Sequence, residues 1–75
     1  MNEPKTLQDI LTQRETEILI LIAQGLGSKQ IAAQLEISEN TVANHRKNML
    51  SKAQASSSAE LIYLYNNNYY IKNSH

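Results

Sequence analysis

An all-α fold, a four-helix bundle containing a helix-turn-helix, is what this sequence predicts, on three observations. The stretch Ser28 to Lys52, SKQIAAQLEISENTVANHRKNMLSK, divides into two apolar-periodic segments around the short corner Glu36-Ile37-Ser38. Apolar residues on both sides of it recur at the three- and four-residue steps of a buried helical face. No strand pattern, internal repeat or long linker interrupts them.

The elements follow in chain order. Residues 1–10 read as a lead-in, with room for one extra helical turn opened by Thr6 and Asp9 and anchored by Leu7, Ile10 and Leu11. At Thr12 the signal sharpens. Thr12-Gln13-Arg14-Glu15 fits a capping box, in which the hydroxyl and the carboxylate reciprocally satisfy backbone donors. Ile18, Leu19, Leu21, Ile22 and Ala23 then form the inward face of the first helix, with Ile20 on the opposite side. Gly25 ends it, because the residue at that cap takes positive φ. Leu26 and Gly27 connect to a second helix capped by Ser28 and ending near Leu35.

Ser38 is a suitable N-cap for the third helix, Glu39 to Ala53, since its hydroxyl can accept an otherwise orphan N–H. Ser57 and Glu60 make a second candidate capping box for a fourth helix through Leu61, Ile62, Leu64 and Tyr65. Asn66-Asn67-Asn68 ends it, Tyr69 to Ile71 fold back, and residues 72–75 are expected to fray. The folded domain is thus placed at residues 11–71.

Composition narrows the functional classes. The chain has 75 residues and is one small domain; at this size only about 60% of the unfolded surface is buried. Without Trp or Phe, the core falls to Leu, Ile, Val and Ala. Without cysteine, disulfides, thiolate metal sites and cysteine nucleophiles are all excluded. The longest apolar run, Ile18 to Ala23, is far short of the ~20 residues that span a bilayer. No secretory signal follows Met1, so a cytoplasmic location without membrane contact is expected. No Gly-rich phosphate loop, paired-acid site or activated nucleophile is visible, which argues against an enzyme. His45 shares a stripe with Val42 and Met49 and has no second ligand at metal spacing, so it reads as structural. No cofactor, metal or small-molecule ligand is expected within this length.

Net charge is formally zero, whereas a basic face is the usual footprint of a nucleic-acid binder. The distribution compensates. Acidic residues dominate the first 17 positions, while from Asn40 to Gln54 the only charges are Arg46, Lys47 and Lys52. The third helix also divides by role. Val42, His45, Met49 and Ala53 should face the other helices, leaving Asn40, Ala43, Asn44, Lys47 and Ser51 outward. Small and amide side chains can enter a major groove closely, with Asn suited to adenine and Lys to guanine O6 and N7. Ser28, Lys29, Thr41, Arg46 and Lys52 flank that stripe as candidate phosphate contacts, helped by the helix N-termini. Arg14 has the simpler role of balancing Glu15 and Glu17.

Leu11-Thr12-x-Arg14-Glu15-x-Glu17-Ile18-Leu19, Leu21-Ile22-Ala23-x-Gly25 and Lys29-x-Ile31-Ala32-x-x-Leu35-x-Ile37-Ser38-x-x-Thr41-Val42-x-x-His45 resemble the LuxR/GerE-type helix-turn-helix domain. Met49, Lys52 and Glu60-Leu61 extend the resemblance over roughly residues 11–71. It implies a bacterial transcription regulator that binds double-stranded DNA at an inverted repeat as a homodimer. In that family the third helix enters the major groove and the fourth commonly makes the dimer contact. Matched by position, Ala43, Asn44 and Lys47 occupy base-reading slots and Lys29, Thr41 and Lys52 backbone-contacting slots. Ile62, Tyr65 and Tyr69 become the dimer candidates, and RNA polymerase a further possible partner. The chain departs from the pattern at Ala43, where many members carry a basic residue. It departs again at Ala53 for Leu, Ser58 for Arg and Tyr69 for Gly, which bears on affinity and dimer strength.

Two alternatives stand beside this reading. A sigma-factor region 4 shares the Leu-Thr-x-Arg-Glu opening and the turn, but usually lacks His at position 45 and carries more Arg in the third helix. A protein-interaction domain that has lost DNA binding would suit the neutral charge, Ala43 and the Tyr-rich end.

Overall fold

The computed structural model describes residues 5–71. In order these form β1 (Lys5–Thr6), α1 (Leu7–Ile10), α2 (Gln13–Ala23), α3 (Ser28–Leu35), α4 (Glu39–Ala53), α5 (Ser58–Asn66) and β2 (Tyr70–Ile71). The four main helices match the expected ones, and α1 is the extra turn at the start. The core is continuous, with Leu7, Ile18, Leu19, Ile31, Val42, Met49 and Leu61 fully buried. α4 packs on α2, α3 and α5. Residues 72–75, where fraying is expected, lie outside the described residues.

Helix starts follow local chemistry. The Thr6 N–H and hydroxyl both donate to Asp9 Oδ2, each at 3.1 Å. The Thr12 box closes in both directions: Glu15 N–H reaches Thr12 Oγ1 at 3.1 Å and Thr12 N–H reaches Glu15 Oε1 at 2.9 Å. Ser38 Oγ accepts the Thr41 N–H at 3.0 Å. Two starts depart from expectation. Gly27, not Ser28, is the N-cap of α3, and the side-chain Oε1 of Gln30 accepts the Gly27 N–H at 2.9 Å. Extended backbone at Gly27 lets the chain enter the helix one residue earlier, so Ser28 is already helical. At α5, Ser57 Oγ accepts the Glu60 N–H as expected, but the Glu60 carboxylate turns to Ser56 N–H at 2.9 Å.

All four main helices end in the same motif. At Gly25, Glu36, Gln54 and Asn68 the backbone takes φ of 95°, 59°, 56° and 54°. In each case the next N–H bonds back five residues: Leu26 to Leu21, Ile37 to Ala32, Ala55 to Leu50 and Tyr69 to Leu64, at 3.0–3.2 Å. This is the Schellman closure, with an apolar residue directly after the left-handed position. Only the first of the four uses glycine. A side chain in the left-handed region costs about 1–2 kcal/mol, partly offset by the greater unfolded-state freedom of glycine. Glu36→Gly is therefore expected to stabilise the domain by about 0.5–1 kcal/mol. A urea midpoint shifted upward with unchanged slope is the expected reading; a downward shift would show that the Glu36 side chain outweighs its backbone strain.

Two further expectations are corrected. Ala23 is exposed, not inward, because α2 buries only the arc through Ile18, Leu19 and Leu21, leaving Ile22 half-covered and Ile20 43% exposed. A strand pair is present: β1 and β2 are antiparallel, with Lys5 opposite Ile71 and Thr6 opposite Tyr70. Two residues are too few to display an alternating pattern. The Gln8 side-chain amide also donates to the Tyr65 carbonyl at 3.4 Å, so the first described residues strap the end of α5.

Candidate nucleic-acid interface

The corner between α3 and α4 is three residues, Glu36 to Ser38. Left-handed Glu36 reverses the chain, half-buried Ile37 pins it, and Ser38 restarts the helix. Thr41 belongs to this cap, since its hydroxyl lies 2.9 Å from Ser38 Oγ. Beyond the corner, α4 separates its two faces as expected. Val42, Met49 and Ala53 are buried and His45 is half-buried. Asn40, Ala43, Asn44, Lys47 and Ser51 are all exposed, as is Asn48 at the edge of the stripe.

The flanking candidates fall into different settings. Lys29 is exposed in the first turn of α3, beside half-buried Ser28. Arg46 is half-buried, and its Nε is buried without a hydrogen-bond partner among the described residues. At about 100° per residue it lies on the side of α4 away from Asn44. Arg14 pairs with Glu17 at 3.4 Å on exposed surface, a contact worth little.

Lys52 is tied into the protein. Its Nζ lies 2.7 Å from Oε1 of Glu15, whose side chain is 4% exposed. Glu15 is the one buried charged residue among those described. Burial pushes its carboxyl up, but the Lys52 ammonium and the Thr12 N–H and hydroxyl together outweigh that and hold it below its ordinary value. One carboxylate thus closes the start of α2 and fastens the last turn of α4. Sequence reasoning assigned Glu15 only the first of these tasks. The sequence separation of 37 between the partners leaves no local signal of the second.

Other charges temper the surface. Exposed Glu36 and Glu39 place two carboxylates at the entrance to α4; Glu39 suits the helix dipole, yet both would repel phosphate. Of the residues assigned to a dimer contact, Ile62 and Tyr65 line an open apolar groove with Leu19, Ile20 and Ala23 of α2. Tyr69 is not among its lining residues and packs against Tyr63 with the rings tilted by 33°, centroids 5.5 Å apart and hydroxyls at 3.3 Å. Among the described residues no group of three His, Cys, Asp or Glu could hold a metal ion, and no helix is long and apolar enough to cross a membrane.

Comparison with known proteins agrees with this geometry. Residues 9–65 match the family GerE, described as bacterial regulatory proteins, luxR family. The nitrate/nitrite response regulator protein NarL of Escherichia coli K12 is 49% identical over 61 residues, covering 79% of this chain and 28% of that protein. The response regulator protein VraR of Staphylococcus saprophyticus is 38% identical over 69 residues, covering 91% and 33%. Among solved structures, the response regulator ChrA of a heme-sensing two-component system superposes with a TM-score of 0.73 at 38% identity, covering 76% of this chain and 28% of that one. The chain thus spans about a third or less of the relatives it matches. A helix-turn-helix of this geometry, with matching sequence through all four main helices, makes this chain a member of the luxR family of bacterial regulatory proteins, carrying the DNA-binding domain of a transcription regulator.

Proposed function

We propose that this chain binds duplex DNA with sequence preference in the bacterial cytoplasm, α4 lying in the major groove. The observation that carries the reading is the exposed, small and amide-rich stripe of α4, presented directly behind a capped three-residue corner. Asn44 and Lys47, with Ala43, face bases. Lys29, Thr41 and Lys52, joined by Arg46 and Ser28, grip phosphate around it, and the free N–H groups at the starts of α3 and α4 favour the same anions. Two copies associate on an inverted repeat through Ile62 and Tyr65 of α5 and Tyr69 just after it, and the bound pair is a surface for RNA polymerase.

Selection of duplexes from a random pool, followed by gel shifts across salt, tests this. A two-fold symmetric site is expected. Affinity should fall with salt at a log–log slope of about −0.9 for each phosphate neutralised. Lys47→Ala is expected to cost about 1–3 kcal/mol of binding and relax preference at one base position. Sedimentation with and without the selected duplex tests the dimer. Salt-insensitive binding, or none, would overturn the proposal.

A second reading is favoured by the carboxylates of Glu36 and Glu39 at the entrance to α4 and by the apolar groove between α2 and α5. It is a protein-binding domain that keeps the fold without the DNA contact. No shift with any duplex at low salt, together with specific association in sedimentation, would make it the better account.

A further inference from the structure

We infer that the reading face of α4 is built for half-sites of A·T pairs followed by a single guanine, with Ala43 against a thymine methyl and Asn40 and Asn44 on adenine edges. The inference rests on the DNA-binding reading proposed above and concerns which bases that face accepts. Successive helix residues are about 100° apart, which places Lys47, Asn40, Ser51 and Asn44 within an arc of about 60° and Ala43 about 40° beyond Lys47. All five are exposed. Lys47 is the only cation among them, and the other helix cations lie elsewhere: half-buried Arg46 about 60° beyond Ala43, Lys52 held by Glu15 at 2.7 Å.

The chemistry of this arc is lopsided. An ammonium only donates, so Lys47 meets the paired acceptors O6 and N7 of guanine. An Asn amide donates and accepts, which matches adenine N7 and N6. Asn40 and Asn44 are one ridge step apart, about 6 Å along the axis, close to the ~6.8 Å of two base-pair steps. Ala43 offers neither donor nor acceptor and cannot recognise a guanine edge. Its methyl is instead the right size for apolar contact with the thymine C5 methyl. The short side chain at position 43 is therefore a base-selecting feature, and not only a missing phosphate or guanine contact.

The test uses base analogues, so the wild-type fold is unaltered. In a site selected from random duplex, the half-site should contain A·T pairs two steps apart and one guanine beyond them. Uracil in place of the contacted thymine, which removes only the methyl, should weaken wild-type binding about three- to fourfold and leave Ala43→Gly unaffected. In place of the contacted adenine, 7-deazaadenine should weaken wild-type binding about tenfold and leave Asn44→Ala unaffected. Half-sites made of G·C pairs alone would overturn the inference. So would analogue effects that are absent, or equal in wild type and variants. If no duplex is enriched at all, the DNA-binding reading falls and takes this inference with it.

Discussion

Lys52→Met is expected to lower the unfolding free energy by about 2–3 kcal/mol and to change its dependence on pH. The substitution leaves the nearly buried Glu15 carboxylate without its ammonium partner at 2.7 Å. Removing one member of a buried pair costs about 3–5 kcal/mol; the lower figure applies because the Thr12 N–H still bonds the carboxylate and half-open Lys52 is partly solvated. In the wild type the Glu15 pKa is depressed below 4.5. Its contribution is therefore fully present above pH 4.5 and is lost as pH falls through the folded value. In Lys52→Met the burial that already pushes the carboxyl up is opposed only by Thr12, so the folded pKa moves upward. The loss of stability that accompanies protonation of Glu15 on the acid side therefore shrinks. Urea unfolding of both proteins between about pH 3 and 7 checks this: a wild-type profile that falls more steeply below pH 4.5 than the variant profile is expected. Profiles of the same shape would show that Lys52 does not govern the ionisation of Glu15.

The second large effect is at the start of the chain. Leu7→Ala is expected to cost about 3 kcal/mol, within the range for emptying a fully buried leucine site, out of a total of about 4–11 kcal/mol for a chain of this length. Leu7 is wholly buried and clusters with Ile18, Leu19 and Leu61, while β1 beside it pairs with β2. Thermal and urea unfolding should show one cooperative transition at a lower midpoint. A loss under 1 kcal/mol would mean that residues 5–10 open independently and that the cooperative unit begins near Leu11, where the lead-in was expected to end.

The family relationship and these stability effects bear on one another. Position 43 distinguishes the chain within the pattern it resembles, but the α4 that presents it is positioned by Glu15, Ser38 and Met49. Changes at those three residues should disturb every contact of α4 together, whereas changes at Asn44 or Lys47 should alter single base positions.

By itself the sequence determined much of what is closed within one or two helical turns, although the cap of α3 fell on Gly27 in place of Ser28 and the Glu60 carboxylate went to Ser56. The Thr12–Glu15 box, the Ser38 cap, the stop at Gly25 and the division of α4 into inward and outward stripes each involve residues at most a few positions apart. Their chemistry is therefore readable without the fold. The stripe proposed to read DNA was visible for the same reason. Only the tertiary structure decided the second role of Glu15, since its partner is 37 residues away. The same holds for the strap from Gln8 to Tyr65 across 57 residues and for the pairing of β1 with β2. Left-handed Glu36 and Gln54 were equally illegible, because a Schellman closure ahead of Ile37 and Ala55 selects that backbone despite side chains that do not favour it. Period and caps are short-range and written residue by residue. Which distant carboxylate meets which ammonium depends on how the helices cross, and that is settled only when the core around Ile18, Val42 and Met49 has closed.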